Sequence, residues 1–422
     1  MYLEFFPARD GGTPEVVRAG NLVFIGGLYA ADGALQHRTE KCEAVFGQSD
    51  VQNHADAQNH VKTEARTILE RLKAALASAG ATLGDVVKHN VYFSCPPGDA
   101  SVGRFLAELD EVRHAYFTYP GPTSTEINCG LEREGARLMI DAWAVIGGER
   151  ELLDPPGHWR RAGASPFVQG WKVGDMLFIG GQRTLDRDGK LLGLGDIEIQ
   201  TDESFRNLDT MLKAGGGDRS NLMRQNTYFR FFGEGRAVTD YWEKMTAVRR
   251  RYMSVPSAAG AGLRIKSLGL VDELIQVEGI GVLGDVKQRL QPADHWDWSI
   301  PGNQFTQGWK IGKLAFIGGQ ISADAKAQAV GHDMETQTRN VFTFIRRTLA
   351  EAGLDESHVA KLYIYYHAEG SWADIAAERA TIARVQREFY PEPGPVVTAV
   401  RVAGFAFENL LIEIEALAVA HD

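Results

Sequence analysis

Gln307-Gly-Trp-Lys-Ile-Gly-Lys-Leu-Ala-Phe-Ile-Gly-Gly-Gln320 decides how this chain is read, because it does not occur once. Gln169-Gly-Trp-Lys-Val-Gly-Asp-Met-Leu-Phe-Ile-Gly-Gly-Gln182 is nearly the same stretch, and Ala19-Gly-Asn-Leu-Val-Phe-Ile-Gly-Gly27 is a worn third copy. The shared Phe-Ile-Gly-Gly begins at 24, 178 and 316, so the spacings are 154 and 138 residues. Such a period is the size of a domain, far longer than a solenoid unit. Each copy reads as an apolar strand followed by glycines that let backbone approach closely. Three units follow, with boundaries expected at 1–150, 151–286 and 287–422.

Working outward, each copy of the strand is followed by the same succession of patterns. In the first unit apolar residues from Val61 to Ala79 fall at helical spacing, and Gly80 suits a helix C-cap. A strand over 86–93, a helix within 102–116, a Pro120-Gly-Pro122 stop and two strands over 125–131 and 137–145 complete it. The second unit predicts a strand at 176–179, a helix near 203–214, a strand at 222–231, a helix near 238–252, and strands at 262–267 and 274–282. The third repeats the order at 314–317, 336–351, 359–366, 373–389, 397–402 and 411–419. Helices on one face of a sheet give an α+β class. In Leu411-Leu-Ile-Glu-Ile-Glu-Ala-Leu417, Ile412 and Ile414 face one way and Glu413 and Glu415 the other. The second sheet face therefore needs a partner, which the other two units supply.

Bulk composition narrows the function. With 44% hydrophobic and 24% charged residues in 422, the chain is an ordinary globular protein with material for three cores. A net charge of −10 argues against nucleic acid as a partner, since phosphate binding needs displaced counterions. Arg249-Arg-Arg251 is the best basic run and reads as a solvated helix face. Cys42, Cys95 and Cys129 form no CxxC pair and no disulfide framework, which fits a reducing compartment. No signal peptide and no membrane span is read, so the expected location is cytoplasmic.

Taken together, the strand ending in Gly-Gly-Gln, the long helix, the Pro-containing turn and the closing Ile-Glu-Ile-Glu-Ala resemble the Rid (reactive intermediate deaminase, YjgF) family, three times over. The resemblance implies three chorismate-mutase-like repeats forming an intramolecular pseudo-threefold trimer, with sheets inside, helices outside and ligand clefts between neighbours. It implies hydrolysis of a small planar imine, enamine or amide-type C–N compound, with a non-catalytic metabolite-binding protein as the alternative. One chain is expected to complete the trimer-like ring, with higher oligomers possible.

Residue by residue the resemblance is uneven. The family's Gly-Gln loop matches Gly181-Gln182 and Gly319-Gln320, whereas the first repeat has Gly27-Leu28. Its aromatic matches Phe167 and Phe305. The arginine that clamps a substrate carboxylate in the family's Pro-Ala-Arg-Ser turn is absent, with Ser124, Ala258 and Val397 in its place. The family's acid matches Glu413, but Gln276 and Met139 in the other repeats. Arg401 shares a strand face with Val397 and is a catalytic candidate beside Glu413, with Arg264 its counterpart; alternatively both pair with Glu415 and Glu278. Trp171 and Trp309 could wall a planar substrate, and Lys172 and Lys310 could anchor an anion. Asp141, Glu278 and Glu415 suit a structural role where the repeats meet, and His158 and His295 suit linker packing. No residue spacing calls for a metal or cofactor.

Overall fold

The computed structural model describes residues 2–7, 13–30, 52–96, 98–161, 165–284, 286–297 and 305–421. Cys42 lies outside them. Among the described residues three mixed sheets carry six α-helices. The first sheet is built from β1 (Leu3–Pro7), β2 (Pro14–Ala19), β3 (Leu22–Leu28), β4 (Val86–Phe93), β5 (Thr123–Asn128) and β6 (Leu138–Val145), with α1 (Gln52–Ser78) and α2 (Asp99–Arg113). Its spatial order is β1-β2-β3-β6-β4-β5, so β6 closes the unit between β3 and β4.

The second unit repeats this with β7 (Arg150–Leu153), β8 (Gly170–Val173), β9 (Met176–Gln182), α3 (Ile197–Ala214), β10 (Leu222–Arg230), α4 (Arg236–Arg249), β11 (Gly262–Ile265) and β12 (Ile275–Val282). The third follows as β13 (Lys287–Leu290), β14 (Gly308–Ile311), β15 (Leu314–Ile321), α5 (Met334–Glu351), β16 (Val359–Tyr366), α6 (Trp372–Phe389), β17 (Val396–Arg401), β18 (Gly404–Phe405) and β19 (Ile412–Val419). β18 does not join its own sheet. It pairs with β11, Leu263 opposite Phe405, and so stitches the third unit onto the second sheet.

The helices and strands fall where the periodicity puts them. The addition is a pair of strands before each Phe-Ile-Gly-Gly strand. Gly-Trp-Lys is itself a strand, turned back by Gly174 and Gly312, whose φ values of 56° and 54° suit glycine in a tight hairpin.

Burial follows the alternation in β19. Ile412 and Ile414 pack under α5, while Glu413 and Glu415 point to the opposite face, where the sheets meet. There Phe24, Trp143, Trp171, Phe178, Trp309 and Phe316 share one apolar cluster drawn from all three units. Beside it lies a layer of buried charge. Lys88 pairs with Glu278 at 2.7 Å, Arg224 with Glu415 at 2.7 Å, and Lys361 with Asp141 at 3.2 Å. The pairs run first to second, second to third and third to first, each sheet giving one cation and one carboxylate. Arg224 and Lys88, not Arg264 or Arg401, therefore neutralise these carboxylates. Desolvation makes such pairs poor sources of net stability but costly to break, about 3–5 kcal/mol when one partner is removed.

Candidate functional site

Three clefts lie between neighbouring units, and three glycines set their floors. A Cβ on Gly319 would stand 1.9 Å from Glu413 Oε1, one on Gly181 2.5 Å from Gln276 Nε2, and one on Gly27 2.5 Å from Met139 Sδ. The same backbone approach thus meets an acid, an amide and a thioether in turn.

The cleft between the second and third units is walled by Trp242, Gly260 and Gly262 on one side. Phe305, Thr306, Gln307, Gly319, Ile321, Phe405, Phe407, Leu410 and Glu413 line the other. Gly262 leaves room for Trp242, since a Cβ there would lie 2.3 Å from the indole. Glu413 is 6% exposed. Burial, and then the neighbouring Glu415, push its carboxyl well above the usual carboxylate range, against the opposing Gly262 amide hydrogen bond. Its protonated form is favoured over that of an ordinary glutamate.

Above this floor Arg249 is wholly buried, its guanidinium 4.0 Å from the Trp242 ring and 4.6 Å from Phe305. None of its three guanidinium nitrogens has a hydrogen-bond partner among the described residues, nor has the Trp242 indole N–H. Burial, with Arg250 adding repulsion, lowers its pKa to about 9. The solvated face expected for Arg249-Arg-Arg251 is thus corrected at its first residue. Phe305, supplied by the next unit, covers it.

The first–second cleft has the same arrangement, already satisfied. Arg113 occupies the matching place, seven residues before Pro120 as Arg249 is before Pro256, and lies 4.2 Å from Phe167. Its guanidinium donates to Ser124 at 3.1 Å, Glu126 at 3.3 Å and Asp110 at 3.0 Å. Arg161 grips the same Glu126 at 2.9 Å through both oxygens. Burial opposes ionisation of Glu126, but Arg161 and Arg113 hold it far below the usual range. In the third–first cleft the matching residue is Gln386, Met139 replaces the acid, and a wider cavity of about 450 Å³ is lined by Arg71, Arg133, Arg379, Glu15 and Glu132. Burial raises Glu132 to about 7, with Arg379 opposing.

Of the expected site residues, Glu413, Gly319 and Phe305 meet in the second–third cleft, and Phe167 and Gly181 belong to the first–second one. The others lie elsewhere. Gln320 and Gln182 turn back on their own loops, donating to the carbonyls of Gly318 and Gly180, both at 3.1 Å. Gln182 also bonds His158 at 2.9 Å, a more specific contact than linker packing. Trp171 and Trp309 are buried in the shared apolar cluster and donate to the carbonyls of Gly121 and Ser257, at 2.8 and 2.7 Å. Lys172 reaches Glu151 at 3.4 Å and Lys310 the Ala352 carbonyl at 2.7 Å, on outer strands. Arg401 is at the other interface of its unit, donating to Leu131 of the first at 3.2 Å and stacking on Trp372. It is not beside Glu413: a β17 residue faces the neighbour on the opposite side. Arg264 donates to the carbonyls of Gly233 and Ala403, both at 2.7 Å. Sequence reading missed Arg249 and Trp242; aligning the units on their Pro turns brings out the Arg113–Arg249 match.

Among known proteins, the family model described as Endoribonuclease L-PSP matches residues 160–259 and 299–420, just over half of the chain. A RutC family protein of Pyrococcus horikoshii is 33% identical over 119 residues, 28% of this chain and 88% of its own. One from Pyrococcus abyssi is 30% identical over 119 residues, 28% and 87% respectively. A crystal structure of chorismatase superposes with a TM-score of 0.51 at 13% identity, covering 80% of this chain and 93% of that one, a likeness of fold. No helix among the described residues is long and apolar enough to cross a membrane.

Proposed function

The chain belongs to the Endoribonuclease L-PSP family, which includes the YjgF and Rid proteins, and from that premise we propose a hydrolase or deaminase of a small planar imine, enamine or amide-type compound, working in the second–third cleft. The carrying observation is the buried, proton-retaining carboxyl of Glu413 against Gly319, a pairing that Gln276 and Met139 replace in the other two clefts. Glu413 enters as the acid.

For an imine, Glu413 gives its proton to the nitrogen, making the C=N carbon electrophilic. Water adds to that carbon while the Glu413 carboxylate takes one of its protons. Glu413 then returns a proton to the nitrogen, which leaves as ammonia while the hydroxyl gives its proton back to the carboxylate and the carbon ends as C=O, consuming one water. An apolar wall of Phe305, Phe405 and Phe407 excludes other water and keeps the acid's pKa high. Glu413→Gln preserves the shape and removes the acidic proton. Ammonia release from a panel of conjugated imines at an unchanged rate in that variant would sink the mechanism.

The units 1–150, 151–286 and 287–422 complete a trimer-like ring within one chain, supported by the cyclic ion pairs, and covalent linkage frees each cleft to diverge. Light scattering should give a mass that needs no partner chain to close a ring. The net charge of −10 supports small molecules, not RNA, as substrate despite the family model's description. A binding-only protein is the second reading, favoured by the lost clamp arginine in the Pro turns. Saturable binding without turnover distinguishes it.

A further inference from the structure

Two positions that recur in the repeats carry different residues at the clefts. Counted back from Pro120, Pro256 and Pro393, the place of Trp242 on α4 is taken by Leu106 on α2 and by Arg379 on α6. Eleven residues before the Phe of each Phe-Ile-Gly-Gly stand Thr13, Phe167 and Phe305. Between the third and first units, Arg379 and Thr13 border a cavity of about 450 Å³. Between the second and third, Trp242 and Phe305 border one of about 50 Å³. Their rings lie 16° from parallel with centroids 6.5 Å apart, and Trp242 occupies the space that Gly262 frees by having no side chain.

The small cleft limits a ligand in size and in charge. One water needs about 10–15 Å³ of such space, so the part of a ligand that reaches Glu413 is held to about four heavy atoms. Among the described residues that line the cleft there is no Lys, Arg or His, and Glu413 is the lone ionisable group. Two residues along β11 from Gly262, Arg264 spends its donors on the carbonyls of Gly233 and Ala403. An anion entering here gives up its water and meets no cation, only the carboxyl of Glu413 with Glu415 behind it. A protonated carboxyl, in contrast, offers one O–H donor and keeps acceptor capacity, which complements a group bearing both N–H and C=O or C=N.

We infer that the second–third cleft selects an uncharged ligand, a primary amide or unsubstituted imine with a compact planar head and no carboxylate, and that Trp242 sets how large the head is. The head lies against Trp242 and Phe305 with its polar atoms at Glu413. Ala258 in the Pro turn then belongs to the selection, since an anionic ligand finds nothing there to pair with. This inference rests on the proposed use of the cleft but is tested without turnover.

Acetamide, acetate and acetamidinium share one planar shape and differ in charge, so they isolate the point when titrated into the full chain at neutral pH. Ligand-observed NMR reads such weak binding. Acetamide should bind at least tenfold tighter than either charged analogue, and benzamide, with a head too large for the cleft, at least tenfold more weakly than acetamide. Trp242→Leu, which installs the residue of position 106, should reverse the order of the two amides. Because that variant could fail to fold, Trp242→Phe provides a second route: it keeps an aromatic ring, shortens it, and should move benzamide in the same direction. Equal binding of the three small probes, a preference for either charged one, or no saturable binding of acetamide overturns the neutral ligand. An amide order unchanged in the folded variants overturns the role of Trp242. Failure of the hydrolysis is separable. If acetamide is preferred while Glu413→Gln keeps full ammonia release from the imine panel, the neutral cleft stands and the acid assignment falls. If acetate is preferred while Glu413→Gln loses turnover, the acid stands and the neutral cleft falls.

Discussion

The first–second and second–third clefts were built from the same plan and put to opposite ends. In one, an arginine, a stacked phenylalanine and a buried carboxylate form a closed set, with Arg161 as a second cation. In the other the arginine and phenylalanine remain, the carboxylate has gone, and an acid has appeared on the facing strand where Gln276 stood. The difference separates two uses of buried charge. A satisfied group holds a structure together, whereas an unsatisfied one costs stability and is retained for what it can bind.

The sharpest way to break the comparison is Glu413→Gln. A positioned acid contributes about 10²- to 10⁴-fold, so the rate of C–N hydrolysis should fall by that factor, read as ammonia release. Gln276→Glu in the first–second cleft should confer nothing, because Glu126 already occupies that arginine. A rate gain in that variant would erase the distinction between the two clefts.

Next comes stability, where the two arginines should respond with opposite signs. Arg113→Met strips a cation from Glu126 and should cost about 3–5 kcal/mol in urea unfolding. Arg249→Met removes a buried charge with no acceptor and should raise stability by roughly 1–3 kcal/mol in the absence of ligand. Like signs for the two would mean that Arg249 is satisfied after all.

The glycine floors give a smaller effect. Gly319→Ala drives a methyl into Glu413 and should cost about 1–3 kcal/mol and most of the activity, whereas Gly27→Ala meets the end of a flexible Met139 side chain and should be milder. Denaturant midpoints and turnover check both.

The pH dependence is the finest test. Glu413 has a folded pKa raised above 4.5, so from pH 4.5 up to that value the folded chain binds more protons than the unfolded one. Stability from this group is full below 4.5 and declines as pH rises through the window. Arg249 has a folded pKa lowered to about 9, so its penalty is present below 9 and is relieved as pH rises above it. Glu126 has a depressed pKa and contributes stability above the ordinary glutamate value that is lost on acidification. Unfolding of wild type against Glu413→Gln should therefore diverge with rising pH above 4.5. Parallel curves would mean that Glu413 is ionised in the fold.

Much of the architecture was legible because the chain states its plan three times. Residues 359–366 read as a strand and fold as β16, and Glu413 and Glu415 are set against Ile412 and Ile414 by simple alternation. The opening hairpins were less legible: Gly-Trp-Lys is short, and its strand character depends on pairing with Lys287–Leu290 and Arg150–Leu153. At the site, Glu413, Gly319 and Phe305 could be carried over from family resemblance. Arg249 could not, since a run of three arginines looks solvated until Phe305 of another unit is laid across it. Conversely, Trp309 and Gln320 lie within the most visible stretch, yet their side-chain N–H groups are spent on Ser257, Gln307 and Gly318. Distance along the chain hides one set of partners, and conspicuous sequence suggests ligands where the partners are internal.

The cycle of buried ion pairs also bears on how the chain folds. Lys88 meets Glu278 across 190 residues, Arg224 meets Glu415 across 191, and Trp143 donates to Tyr363 across 220. Contacts this distant are slow to form, and the third-to-first seam can close only after two neighbouring units are in place. Until then it presents a cation without its carboxylate and a carboxylate without its cation, complementary to the same seam on another chain. A seam that closes late can therefore close on another chain, third unit to first, in an assembly open-ended where the closed molecule is finite.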